Sequence, residues 1–527
     1  MTISAQSISS YTHAPGLGGC GVKSHIARNS AFNFFGQVLP LLVGVLTIPI
    51  IIRGLGTDAF GILSIAATLL GCFSMFDLGL GRATTKYVAE YLNPDKVAHL
   101  PGLIYTSISI QLLLGIVAAL GTLAFVPTLV TRVFVIPPAL VHEASVSVVV
   151  LVASAPILLA SNAVRGVLEA AQRFDLVNYV KVPTSISFYA LAALAIPLHW
   201  RISTIIWASV LARALAAAAF AILCVHIFPQ LKIFTLSRSE LHHLLSFGGW
   251  VMVSSLAGQM FAYLERFMIA SILSVGLLTY YAAPFELISK ILIFPASAAT
   301  ALFPFASQHG GMQPHLIAEI SNRLLKYILF IMAPILAIFV AFGGTILQFW
   351  LGYDFALKST SVLQLLAFAF FLNALAFIPF TSVQALGRPD LKAALDIVAL
   401  PVFALYAWIL MSHFGITGAA FAKLVSSAID CTFLFIFARK VNAFHFRTLI
   451  SGTLARSLLL GGGLTAVFCS IGMLHMPLAW SVFVAAICLA AYALGFWTLG
   501  ADAEDKIAAR RMCRGFLGAK SISAAAD

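Results

Sequence analysis

The sequence predicts an all-α membrane protein of fourteen transmembrane helices, and three observations carry that prediction. Fourteen stretches of about twenty or more mostly apolar residues run through the 527-residue chain, from 31–52 to 476–499. A bilayer core takes roughly 20 helical residues to cross, so each stretch is long enough to span. The composition is 61% hydrophobic and only 9% charged. Backbone amides in lipid must be satisfied internally, which makes a helical bundle nearly compulsory at that composition. Finally, the basic residues alternate by loop. One side receives Lys23, Arg28, Arg82, Lys86, Lys96, Arg165, Arg173, Lys181 and others up to Lys520, in all 23 of the 31. The opposite side has Arg53, Arg132, Arg201 and Lys358, and the remaining four cations lie within spans. Positive loops stay cytoplasmic, so both termini are expected inside. The net charge of +12 is therefore a topology signal rather than a nucleic-acid footprint.

Taken in order, the spans read as 31–52, 59–81, 100–126, 143–166, 176–199 and 202–228. They continue at 244–273, 278–303, 322–349, 360–386, 391–413, 416–438, 449–474 and 476–499. The expected organisation is a polar N-terminal segment (1–28), a six-helix lobe (29–230), a cytoplasmic linker (231–243) and a second six-helix lobe (244–440). Two additional helices (441–499) and a basic amphipathic tail (500–527) complete it. Residues 1–22 are polar and Gly/Ser-rich, and the first apolar stretch starts too late and runs too long for a cleavable signal. In the tail, Lys506, Arg510, Arg511 and Arg514 alternate with Ile507, Met512 and Phe516, a pattern suited to an anionic inner leaflet. External loops are short, and the longest runs from about Pro127 to His142.

An internal repeat ties the two lobes together. Leu168-Glu169-Ala170-Ala171-Gln172-Arg173-Phe174-Asp175-Leu176 and Val383-Gln384-Ala385-Leu386-Gly387-Arg388-Pro389-Asp390-Leu391 carry Ala, Arg, Asp and Leu at one spacing, 215 residues apart. Six crossings separate the copies, so both fall on the cytoplasmic side. That is the pattern of parallel repeats related by an axis along the membrane normal. Prolines within spans, at Pro40, Pro49, Pro156, Pro284, Pro295, Pro379 and Pro401, each remove a helical hydrogen bond and allow a kink.

The seven cysteines are scattered and no CxxC or HExxH spacing occurs, so neither a metal site nor a catalytic constellation is expected. Ionisable residues inside spans are costly, at about 2.5–3.5 kcal/mol each on insertion scales, and face a cavity or a partner. The candidates are Asp77, Arg213, Glu265, Arg266, Glu286, Lys290, Lys423 and Asp430. Glu286 and Lys290 share a helical face and can neutralise each other. Glu265 and Arg266 point about 100° apart. Lys423 and Asp430 lie seven apart on one face, and either can pair across to the first lobe. Asp77 sits at a helix end within reach of Arg82 or Lys86. Arg213 has no acidic neighbour in its own span, which points to a water-filled vestibule or an anionic ligand. Guanidinium suits phosphate because its forked donors match the oxygens.

Several segments resemble the polysaccharide flippases, of O-antigen type, in the multidrug/oligosaccharidyl-lipid/polysaccharide exporter superfamily. They are Arg28-Asn29 through Ile52-Arg53-Gly54-Leu55-Gly56-Thr57-Asp58-Ala59-Phe60-Gly61, then Phe76-Asp77-Leu78-Gly79-Leu80-Gly81-Arg82-Ala83-Thr84, then Gln384 to Pro389 with Phe414 to Ala420. The resemblance covers most of residues 28–440. It implies flipping of an undecaprenyl-diphosphate-linked oligosaccharide across a bacterial inner membrane by alternating access, with no cofactor and no group transfer. It further implies a cation-lined path, for which Arg28, Arg82, Arg213, Arg266, Lys290 and Lys423 are the candidates. Asp77, Glu265, Glu286 and Asp430 are then the ion-coupling or charge-pair candidates, the coupling ion being H+ or Na+. Membrane lipids, a polysaccharide polymerase and a chain-length regulator are the other partners implied. Two alternatives stand beside this reading: a cation-coupled multidrug antiporter of the same superfamily, and a membrane glycosyltransferase or polymerase acting on the same lipid. The extra pair of spans and the basic candidates favour the flippase.

Overall fold

The structure is a computed structural model that describes residues 19–77, 80–92, 99–232, 235–237, 240, 260–261, 263–309, 314–441, 443, 453–473 and 478–500. Among the described residues the chain is helical, with no strand. Nine of its helical stretches there are long and apolar enough to cross a membrane, and two shorter apolar helices follow at Ala455–Ile471 and Phe483–Thr498. The basic tail and most of the 231–243 linker lie outside the described residues. By its contacts the chain divides into two compact units, Met1–Ala283 with Asp396–Ser412 and Pro284–Leu395 with His413–Asp527.

The first unit opens with α1 (Gly19–Leu55) and α2 (Thr57–Phe73). α1 begins well before the expected start at residue 31. No glycine or proline stands between Val22 and Phe35, and polarity limits where a helix enters lipid rather than where it forms. Gly56 turns the chain between them with φ 88°, a conformation that glycine adopts without strain. α2 ends earlier than expected, in the 3-10 turn Ser74–Asp77, and α3 (Leu80–Tyr91) follows where a loop was read. Hydropathy alone misses α3 because only one face is apolar: Leu80, Ala83 and Val88 are buried while Lys86 and Glu90 are exposed.

After α4 (Leu100–Thr128), the expected fourth span is one apolar stretch, Pro138–Ala170, made of α5 (Val141–Ala153) and α6 (Ala155–Ala170) with a bend between them. Pro156, near the start of α6, cannot continue the α5 hydrogen-bond ladder, so the chain turns at Ser154. α7 (Phe174–Leu194), α8 (Ile202–Ile227), α9 (263–272) and α10 (Val275–Ser289) follow, the last reaching into the second unit. Loops assigned to one side by their charges meet one another. The Glu143 carboxylate accepts the Ser203 backbone N–H at 3.1 Å and pairs with Arg201 at 3.6 Å, joining two loops expected on the same side. Towards the other end, Tyr91 donates to Glu240 at 2.9 Å and the Ser237 N–H to Thr106 at 3.1 Å.

The second unit holds α11 (Ile293–His309), α12 (Pro314–Leu351), α13 (Tyr353–Ala385), most of α14 (Pro389–Lys440), α15 (Thr453–Met473) and α16 (Leu478–Gly495). As a straight rod α14 would run about 78 Å at 1.5 Å per residue, far beyond the roughly 30 Å hydrocarbon core. It is broken at Gly415 (φ 59°, ψ −136°), the position where two separate spans were read. α15 and α16 pack on α12 through Ala333, Ala337, Leu464, Phe468 and Tyr492, with Phe330 stacked on Tyr492 at 5.5 Å. Large apolar side chains such as Leu46, Ile222, Phe349 and Leu459 stay exposed, as lipid-facing positions do.

The sequence repeat is also a repeat of local geometry. After α6, the Arg173 N–H bonds to Leu168 O at 3.0 Å and the Gln172 N–H to Glu169 O at 3.0 Å, with Gln172 at φ 56°. After α13, the Arg388 N–H bonds to Val383 O and the Gly387 N–H to Gln384 O, each at 3.1 Å, with Gly387 at φ 77°. Both are Schellman caps, which satisfy the last helical carbonyls through one left-handed residue. In both, the arginine then grips an aspartate two residues on: Arg173–Asp175 and Arg388–Asp390, with Nε–Oδ1 at 3.0 Å in each.

The Arg173 guanidinium holds the Asp175 carboxyl below the usual carboxylate range. The folded state thus binds that proton more weakly than the unfolded chain. Its stabilisation is complete above about pH 4 and fades as pH falls through the lowered value. Both side chains are 38% exposed, so solvent screening limits the pair to about 1 kcal/mol or less. Arg173→Ala should therefore lower thermal stability in detergent slightly at pH 7, and the difference should shrink as the pH falls below about 4 and Asp175 becomes protonated.

Candidate functional site

Arg213 lies eleven residues into α8, about 16 Å along its axis and hence near mid-bilayer if the helix spans. Its guanidinium donates to the Ser209 carbonyl oxygen at 3.3 Å and sits 5.7 Å from the Phe188 ring of α7. Neither contact neutralises the charge. Among the described residues no carboxylate stands within ion-pair distance of it. The aromatic face supplies a cation–π attraction that orients the fork without consuming its donors. Arg213 is thus an uncompensated cation among the described residues, as the lack of acids in its own span predicts.

Elsewhere in the first unit, Glu265 is 1% exposed and accepts a hydrogen bond from the fully buried Tyr281 hydroxyl. Arg266, the next residue of α9, is half-buried, so the two charges diverge as helical geometry requires. The Asp77 carboxylate accepts the Gly81 backbone N–H at 3.1 and 3.2 Å and so caps α3, whose first N–H groups have no helical partner. Arg28 and Arg82 fall on α1 and α3, but their side chains lie outside the described residues.

In the second unit the acidic candidates have found cations. Glu286 and Lys290 form the expected pair one turn apart, at 3.2 Å. Asp430 binds Lys392 at 2.6 Å, within its own unit, instead of pairing across to the first lobe. The two residues are 38 positions apart, on either side of the Gly415 break, so sequence spacing gave no sign of the pair. Lys423 is half-buried on the same arm of α14 as Asp430.

Buried polar residues that escaped the sequence reading include Gln111, Lys326 and Asp396, the last 4% exposed within the expected eleventh span. Gln111 of α4 is fully buried, and neither amide atom has a hydrogen-bond partner among the described residues. A buried amide left this way points to bound water or a polar ligand. Lys326 of α12 is 2% exposed although the charge count placed it with the inner loop. Among the described residues no group of three or more His, Cys, Asp or Glu is placed to hold a metal ion. A groove of about 470 Å³ between α15 and α16 is lined by Leu459, Leu464, Val467 and Cys488, with Arg456 at its rim.

Comparison with known proteins places these features in a family. The family described as “Polysaccharide biosynthesis protein” matches residues 26–309, more than half of the chain. The chain belongs to that family. The “Putative O-antigen transporter” of Shigella flexneri is 26% identical over 412 residues, covering 78% of this chain and 96% of that protein. Among solved structures, the lipid II flippase MurJ in an inward closed conformation superposes with a TM-score of 0.70 at 14% identity, over 90% of this chain and 99% of its own. An inward-facing multidrug resistance MATE family transporter of the MOP superfamily gives 0.66 at 16% identity, over 78% and 98%. At such identities the shared property is the fold. The family resemblance is borne out, and the span-one and span-two motifs fall within the matched residues.

Proposed function

We propose that this polysaccharide-family protein moves an undecaprenyl-diphosphate-linked oligosaccharide from the inner to the outer leaflet of a bacterial inner membrane, by alternating exposure of a cationic path. The observation that carries this reading is Arg213: a mid-span guanidinium with no carboxylate beside it among the described residues, in a chain of this family. A diphosphate head cannot cross hydrocarbon unaided, whereas a polyprenyl tail can remain in lipid. A path that shields only the head is sufficient, and no bond need be made or broken. Arg266, Lys423, Arg28 and Arg82 are further candidates for lining it. Lys290 is a candidate as well, although Glu286 already pairs with it. The full architecture in this reading is fourteen spans in two six-helix repeats plus α15 and α16. The matched Schellman–Arg–Asp turns support the repeats, and the Gly415 break supports the eleventh and twelfth spans. Coupling to H+ or Na+, and work beside a polymerase and a chain-length regulator, complete the proposal.

The deciding experiment reconstitutes the purified protein in vesicles containing a lipid-linked oligosaccharide on one leaflet and follows its exposure to a membrane-impermeant glycosidase. Protein-dependent exposure is expected. Efflux of cationic drugs without such exposure would replace the flippase by an antiporter. Orientation is tested separately, with both termini expected in the cytoplasm: a periplasm-active reporter fused after Lys358 should be active, and one fused after Arg388 silent. The reverse pattern would overturn the topology.

A further inference from the structure

Nothing in the proposed transport uses the groove between α15 and α16. Arg456, Leu459, Leu460, Gly463, Leu464 and Val467 line it from α15. Their spacing by three and four residues puts them on one stripe of the helix. From Arg456 to Val467 the stripe runs about 16 Å at 1.5 Å per residue. That is about half of the roughly 30 Å hydrocarbon core, the depth of one leaflet. Gly463 opens the floor, since a Cβ there would meet no other atom within 4 Å. Gly461 faces the other way, where a Cβ would come within 2.8 Å of Ala333 on α12. One glycine thus lets α15 dock on α12, and the other leaves a trough beside α16. Tyr492, stacked on Phe330, forms part of the far wall. Leu459 and Val467 are exposed at its mouth, so the trough opens outward, towards lipid if the helix spans. Its volume of about 470 Å³ lies within the roughly 300–1,000 Å³ of pockets that take one small molecule.

We propose that this trough holds one acyl chain of an anionic phospholipid whose phosphate lies against Arg456. An apolar trough of leaflet depth with a cation at one end complements a chain with a charged head. Arg456 is exposed in the first turn of α15, and no ion pair or hydrogen bond engages its guanidinium among the described residues. Its stem can lie along the apolar wall while the fork reaches the interface, where forked donors match phosphate oxygens. In sequence, Arg439, Lys440 and Arg447 precede it, so the charge distribution puts this end of α15 at the inner face. Anionic lipids are concentrated in that leaflet and attract basic residues at its surface. Length separates this occupant from the polyprenyl tail of the proposed substrate. An undecaprenyl chain is much longer than the trough, whereas a straight acyl chain ends where the trough does.

Native mass spectrometry of the purified full chain, in detergent with phosphatidylglycerol and phosphatidylcholine at equal mole fraction, tests this. One phosphatidylglycerol should stay bound, preferred over phosphatidylcholine by about tenfold, the scale of one charge-assisted contact. Arg456→Gln changes an exposed side chain and should erase the preference while a lipid is still retained. Gly463→Leu puts a side chain into the open floor, raises helix propensity and leaves the Gly461 contact with α12 intact. It should abolish retention. Loss of every lipid from the parent, equal retention of the two lipids by the parent, or undiminished retention in Gly463→Leu would overturn the proposal. So would a preference for undecaprenyl phosphate over phosphatidylglycerol in direct competition, which would give the trough to the substrate's tail. Binding in detergent is read without a flipping assay and without a defined orientation, so failure here leaves the transport reading standing.

Discussion

Arg213→Ala should cut flipping by roughly 10- to 100-fold, the equivalent of losing one charge-assisted hydrogen-bonded contact of about 1.5–3 kcal/mol. Membrane abundance should stay near normal. The reasoning is that the guanidinium's structural attachments are weak, one carbonyl contact at 3.3 Å and one aromatic face. Their loss is a small fraction of the packing of a 26-residue helix. Arg213→Lys separates charge from shape. It keeps the cation but loses the planar fork and its stacking on Phe188, so partial activity is expected. Arg213→Met keeps bulk without charge and should behave like alanine. If the alanine variant is poorly inserted but the methionine variant is abundant and active, the residue packs rather than binds. Flipping measured in vesicles at matched protein density distinguishes these outcomes.

How much of this was legible before the structure follows the physics of each signal. Lipid imposes a length and a polarity on every span, so the helices were readable wherever twenty apolar residues run together. The break at Gly415 was placed correctly because Phe414-Gly415-Ile416 separates two such runs. α3 was missed because it is amphipathic rather than apolar. The bend at Ser154 within the fourth span was legible from Pro156, which read as a kink. For charges the contrast is between near and far partners. Glu286–Lys290 is one turn apart and could be read from spacing, whereas Lys392–Asp430 depends on how α14 is broken and could not. Gln111 was visible as a polar residue within a span, but its lack of a partner is a property of packing alone. Arg213 was readable because both clues, its depth and the absence of an acidic neighbour, lie on a single helix.

The ion pair Lys392–Asp430 should be the most costly single contact to break in the second unit. At 2.6 Å, with side chains 19% and 28% exposed, it is only partly solvated. Severing a fully buried pair costs about 3–5 kcal/mol because a charge is left without compensation. Residual solvent reduces that here to roughly 2–3 kcal/mol for Asp430→Ala, read as an earlier thermal transition in detergent. Loss of the Asp430 carboxylate takes a close partner from the Lys392 ammonium, and that partly desolvated cation adds to the lost attraction. Removing the cation as well, in Lys392→Met with Asp430→Leu, should therefore recover part of the stability, a coupling that the double-mutant cycle measures directly. If the single variant is as stable as the parent, Lys392 is already solvated and the pair contributes nothing. The same cycle separates structure from ion coupling. A pair that only braces α14 should regain flipping along with stability in the double variant. A carboxylate that exchanges its lysine for a coupling cation during transport should regain stability and still fail to flip.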